Sequence, residues 1–180
     1  PAASRTMAIV PGSPVPLTKV PSTPTLATGA GGAVKSGATS GIGRAIALAL
    51  HGAGYAVTAI GRDPQALEAL KAAGLQTLAL ELGDRDALRA TLAGMAPDVL
   101  VNNAGMMPPL QPFCEAEEED IDRTVAVNLG SVLGVTRAVL PGMRARGRGH
   151  VFFAGSPACH APCANLATYC ATKAAVSGFA

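Results

Sequence analysis

Tyr169 and Lys173 stand four residues apart in a stretch, Leu166 to Ala180, whose composition permits helix. At that spacing two helical side chains share one face, a turn apart. A phenol with an unperturbed pKa near ~10 exchanges protons poorly at neutral pH. A neighbouring ammonium favours its anion and brings it toward working range. Ser156, just upstream, adds a hydroxyl able to hold a substrate oxygen beside the phenol. Together the three side chains point to proton transfer on an alcohol or a carbonyl. A Tyr–Lys pair at this spacing is also a common surface pair, so the elements that position it must decide.

The strongest of these elements is the run 36–43, SGATSGIG, followed by the aliphatic segment Arg44 to Leu50. Glycines at 37, 41 and 43 let the backbone turn tightly and approach a pyrophosphate. The helix N-terminus behind them offers free N–H groups and partial positive charge. An ordinary Gly-rich turn is the alternative. Thr39, Ser40 and Ile42 lie within the same loop. The strand expected ahead of it, residues 30–35, is poor, with Val34 its one β-branched residue. Tyr55 to Ile60 reads as a buried strand and ends in Gly61-Arg62-Asp63. A carboxylate there would suit the ribose hydroxyls of NAD, whereas an arginine accommodates a 2′-phosphate. Arg62 therefore favours NADP(H) over NAD(H), against the alternative of a solvated loop charge.

Downstream, Asp63 and Pro64 open a helix through about Ala73, and Gln76 to Leu82 forms a strand. Gly83-Asp84 caps a helix to about Ala93, and Asp98 to Val101 is a short strand running into Asn102-Asn103-Ala104-Gly105. The acidic run Glu115 to Asp122 begins a long helix toward Met143, where carboxylates complement the N-terminal partial charge. Pro141-Gly142 weakens its last turn, and Arg144, Arg146 and Arg148 complement its C-terminus. A strand from Val151 to Gly155 then delivers Ser156 at its carboxyl end. Alternating strands and helices with short loops predict a Rossmann-like, doubly wound α/β fold: a parallel sheet with helices on both faces, in three layers.

With these motifs in order, residues 37–180 resemble the short-chain dehydrogenase/reductase family. The family's TGxxxGIG appears with Ser36 at its first position, its NNAG is Asn102 to Gly105 unchanged, and its YxxxK is Tyr169 to Lys173. Thirteen positions separate Ser156 from Tyr169, as in the family. The resemblance implies an NADP(H)-dependent oxidoreductase that moves a hydride between nicotinamide and a carbonyl or secondary alcohol. Tyr169 would be its general acid/base, assisted by Lys173 and Ser156, and Asn128 would hold a water linking Lys173 to solvent. Expected cofactor contacts are Gly37, Thr39, Ser40, Gly41, Ile42, Gly43, Arg62, Glu81, Leu82, Asn103, Ala104, Gly105, Tyr169 and Lys173. Glu81 would end the third strand and meet the adenine. Family members continue through further strands and a substrate lid, so the chain is expected to be a truncated member lacking its last strands. The alternative is a nucleotide-binding or interaction fragment without turnover.

Bulk properties fit this reading. The chain has 180 residues, is 49% hydrophobic but 3% aromatic, and has no Trp, so its core must be aliphatic. A net charge of +2 argues for neither nucleic acid nor an anionic membrane. No uninterrupted apolar run approaches the ~18 residues that span a bilayer. Cys114, Cys159, Cys163 and Cys170 form no secreted disulfide framework, and a cytoplasmic location with reduced thiols is expected. Cys159, His160 and Cys163 lack a common zinc spacing, so no metal is expected. Residues 1–29, carrying six of the fourteen prolines, are expected to be a disordered tail ahead of the domain at 30–180. The partner is expected to be a small carbonyl or alcohol, with homo-oligomerisation possible.

Overall fold

The computed structural model describes residues 5–8 and 31–180; the remainder of the expected N-terminal tail lies outside the described residues. Among the described residues six strands form one sheet in the order β1-β6-β5-β2-β3-β4. They are β1 (Arg5–Ala8), β2 (Gly32–Ser36), β3 (Ala56–Gly61), β4 (Gln76–Ala79), β5 (Val99–Asn102) and β6 (His150–Phe153). Strands β6, β5, β2, β3 and β4 pair in parallel. The fold is the expected Rossmann-like α/β architecture, with helices packed on both faces.

One sequence expectation gives way here, and the weakly marked strand before the glycine array is present. Arg5–Ala8 is a strand rather than part of a tail, and pairs antiparallel with β6 from Arg5↔Phe153 to Ala8↔His150. It lies at the sheet edge, hydrogen-bonded to β6 alone among the described residues. The poor strand at 32–36 is the central one: β2 pairs with β3 on one side and β5 on the other. Two full ladders override its low β propensity, which reports packing more than backbone preference.

The chain leaves β2 through α1 (Gly41–Gly52) to β3, then through α2 (Pro64–Ala72) to β4, and returns through α3 (Arg85–Leu92) to β5 on the other side of β2. Asp63 caps α2 by accepting from the Gln65 and Ala66 N–H groups, and Asp84 caps α3 likewise from Asp86 and Ala87. The reversal of direction leaves a crevice at the carboxyl ends of β2 and β5, the place where such sheets bind ligands.

Helix α4 (Glu118–Val125) runs through a π-helical turn, Ala126–Gly130, into α5 (Ser131–Ala145), and α6 (Ala167–Phe179) closes the described chain. Pro141 sits inside α5 without ending it. Contrary to the expectation from uninterrupted runs, the helical stretch Glu118–Ala145 is long and apolar enough to cross a membrane by length and composition alone. Here Val132, Val135, Val139 and Met143 face the core with Leu88, Leu92, Leu100 and Val151. The opposite sheet face is covered by α1 and α2 through Ala47, Leu50 and Leu70, packed on Ala33, Val57, Ala59, Val99 and Val101. Both cores are aliphatic, as the composition requires.

Candidate functional site

Ser36 ends β2, and the chain turns at once through Gly37, whose φ of +64° is a left-handed conformation. A Cβ there would lie 2.8 Å from the Ala104 Cα, so this loop and the one after β5 touch backbone to backbone. The Ser36 hydroxyl holds them together, accepting from the Asn103 and Ala104 N–H groups at 3.2 and 3.4 Å. Gly43, in the first turn of α1, is equally constrained, because a Cβ would fall onto the Gly37 carbonyl oxygen. The result is a bare backbone cradle in front of α1. That helix has neither a side-chain cap nor an acidic residue in its first turn. Its free N–H groups are unmatched by any carboxylate of its own, the condition for binding an anion.

This cradle floors a cleft of about 480 Å³. The cleft brings together Gly37, Thr39, Ser40, Gly41, Ile42, Gly43, Arg62, Glu81, Leu82, Asn103, Ala104 and Gly105, twelve residues marked by the sequence. Gly61, Met106 and Val127 also line it and were missed. Gly61 was detectable by its place just before Arg62: its missing side chain leaves room for Thr39, which would clash with a Cβ. Met106 and Val127 carry no signal beyond adjacency to Gly105 and Asn128.

At the outer end of the cleft Arg62 and Glu81 pair with each other at 3.3 Å, both about half exposed. Strand β4 ends at Ala79 rather than at Leu82, so Glu81 is a loop residue and not a strand terminus. Its Oε1 also accepts from the Gly83 N–H at 3.3 Å, an Asx-like local closure that competes with extending the ladder. An exposed pair of this kind is worth roughly 0–1 kcal/mol and rearranges cheaply.

Tyr169, Lys173 and Ser156 do not line this cleft. Of the three, Lys173 adjoins it at Gly105, where a Cβ would sit 3.6 Å from both the Lys173 Nζ and the Asn128 Oδ1. Lys173 is 7% exposed, donates to the Ala154 carbonyl at 3.1 Å, and lies 5.8 Å from the centroid of the Tyr169 ring. Burial lowers its pKa from the ordinary lysine value, and the nearby Cys159 thiol partly opposes that. Tyr169 is half-buried and packs against the small cluster of Ala158, Leu166 and Cys170. Ser156 follows β6 and caps a short 3₁₀ turn, its hydroxyl accepting from the Ala158 N–H at 3.2 Å.

Asn128 is fully buried in the π-helical turn. Its Oδ1 accepts from the Met106 N–H at 2.7 Å, while Nδ2 donates to the Met106 carbonyl at 2.9 Å and to the Thr172 hydroxyl at 3.2 Å. One amide thus joins the loop after β5 to α6. The Cys159 thiol donates to the Ser156 carbonyl and the Cys163 thiol to the Ala161 carbonyl. Among the described residues no cluster of His, Cys, Asp or Glu converges as a metal site.

Residues 33–180 match the family model for short chain dehydrogenase. An uncharacterized short-chain type dehydrogenase/reductase of Sinorhizobium fredii is 46% identical over 148 residues, covering 82% of this chain and 60% of that protein. The L-xylulose reductase of Bos taurus is 39% identical over 148 residues, covering 80% and 60%. Among solved structures, the closed form of serine dehydrogenase complexed with NADP+ superposes with a TM-score of 0.78 at 35% identity, covering 82% of this chain and 63% of that one. The chain therefore spans about 60% of the length of the curated relatives it matches. A match over all but the first 32 residues, on a fold of the same kind, makes this chain a member of the short-chain dehydrogenase family.

Proposed function

We propose that this chain carries the dinucleotide site and proton-transfer residues of an NADP(H)-dependent oxidoreductase acting on a carbonyl or secondary alcohol. The observation that carries the reading is the junction at Gly105, where a glycine-floored cleft meets Lys173 and Asn128. The cleft fits a dinucleotide: a diphosphate lies against bare backbone and free helix N–H groups, and side chains at Gly37 or Gly43 would fill that space. When bound, the nicotinamide supplies or accepts the hydride.

The chain's own residues do the rest. Tyr169 gives a proton to the substrate oxygen in reduction, or takes it in oxidation. The Lys173 ammonium, held by the Ala154 carbonyl and sharing a helical face with Tyr169, favours the phenolate and faces the cofactor ribose across Gly105. The Ser156 hydroxyl, already accepting from Ala158, keeps its own proton free to donate to the reacting oxygen. Arg62 turns from Glu81 to a 2′-phosphate, the basis for preferring NADP(H), in keeping with the structural relative complexed with NADP+.

The test is NADPH binding by fluorescence, followed by NADPH oxidation with a panel of carbonyl compounds. Tyr169→Phe should abolish turnover and leave NADPH affinity within about twofold. Persistent turnover in that variant removes Tyr169 from its role. Binding without oxidation by the unmodified chain favours a nucleotide-binding module over an enzyme.

A further inference from the structure

Lys35 lies in the central strand, two residues before Gly37, and is 0% exposed. Alternation along β2 puts its side chain on the same face as Ala33, beneath α1. Its ammonium reaches forward to the end of the strand and donates to the Ser36 carbonyl at 2.7 Å, the base of the glycine turn. An ammonium has three donors, and Ser36 is its one acceptor among the described residues.

Among the described residues no side-chain anion answers this charge. Strands β3 and β5, which flank it, carry no ionisable residue. On α1, Arg44 is exposed and His51 packs beside Gly74. Tyr55, in the same apolar cluster, precedes the end of β3 that pairs with Gly32, away from Lys35↔Ala59. On α2, Glu68 and Lys71 pair with each other at the surface. Burial alone accordingly pulls Lys35 from 10.5 to about 7. The uncapped N-terminus of α1 adds partial positive charge above the same turn. Two positive features thus converge under the cleft floor, and the missing counter-charge fits a diphosphate above it.

We infer that Lys35 is a buried counter-charge for the dinucleotide diphosphate, taking up a proton when the cofactor binds and so coupling cofactor affinity to pH. This rests on the dinucleotide reading of the cleft. Lys35 does not line the cleft and acts through the loop, as a positioning residue that supplies field rather than contact. The sign follows from linkage. Below the free-state pKa the ammonium is present before and after binding, and affinity is highest. As pH rises above it, binding must recruit a proton, and affinity falls until the bound-state pKa is passed. One unit charge facing a diphosphate through protein is worth roughly tenfold in affinity or more.

The probe is ADP-ribose, whose diphosphate is fully ionised across this range; it keeps the ribose that Lys173 faces, so comparison with the Lys35 variants separates the two buried lysines. Calorimetry at about pH 7.5–8, in buffers of different ionisation enthalpy, should show uptake of about half a proton. In Lys35→Met that uptake should vanish. Its affinity should be roughly tenfold weaker than wild type near pH 6.5 and should converge with it by about pH 9. Lys35→Val serves if the methionine variant misfolds. Unchanged proton uptake in the variants overturns the role of Lys35 while leaving the dinucleotide site intact. Failure of the unmodified chain to bind ADP-ribose or NADPH at all overturns the dinucleotide reading and this role with it.

Discussion

Replacing Lys35 with methionine, an unbranched side chain of similar length, should stabilise the chain by an amount that depends on pH. The lysine pKa falls from 10.5 in water to about 7 in the fold, a drop of roughly 3.5 pH units, and at ~1.36 kcal/mol each this gives an upper bound of about 5 kcal/mol. Below pH 7 the native state holds a buried ammonium and bears the whole cost. Between pH 7 and 10.5 the native lysine is neutral while the unfolded chain keeps its proton, so stability rises with pH. The variant lacks this term. Urea unfolding without nucleotide, followed by circular dichroism, should show the variant ahead by several kcal/mol at about pH 6.5. That lead should shrink by roughly 3 kcal/mol at about pH 9.5. A variant equal to or weaker than wild type at the lower pH, or a gap that widens with pH, would refute the reasoning.

Two further perturbations address the cleft itself. Arg62→Glu should weaken NADPH by roughly tenfold or more while changing NADH little, because the lost charge meets only the 2′-phosphate; equal losses for the two cofactors, measured by fluorescence titration, would remove Arg62 from that contact. Gly43→Ala places a Cβ on the Gly37 carbonyl oxygen and should cost at least 2 kcal/mol of stability, on the order of other overpacked sites, together with dinucleotide binding. A Gly43→Ala chain that melts and binds NADPH as wild type does would show that the cradle is not closed as described.

The sequence made the cleft legible because its constraints are local. Each loop of the cradle is one contiguous motif, 36–43 or 102–105, and glycine is demanded there by backbone approach alone. What escaped is what depends on distant partners. The edge strand at Arg5–Ala8 follows from a ladder with residues 150–153, and nothing in its own composition announces it. The central strand at 32–36 looked weak because its neighbours, which supply two ladders, are invisible in a window of five residues. The Arg62–Glu81 pair joins positions nineteen apart that had been assigned to separate contacts. Lys35 was readable as a charge inside a strand directly before the glycine array, but its full burial was not.

Asn128 shows how a residue marked by type acquires its meaning from geometry. The π-helical turn interrupts the regular ladder between α4 and α5, and such turns re-aim side chains. Here the amide is spent almost completely: both Nδ2 hydrogens and one Oδ1 lone pair go to Met106 and Thr172. An amide oxygen has two lone pairs, which leaves a single acceptor position beside Gly105. The Lys173 Nζ approaches the same glycine and has donated once, to Ala154. A water joining the two would use the remaining Oδ1 acceptor and one of the two remaining Nζ donors. The same amide ties the loop after β5, at Met106, to α6, at Thr172, and so couples the cleft to the helix that carries Tyr169. On the proposed reading, removing it would disturb the proton path and the alignment together, so Asn128 would be a structural joint as much as a relay.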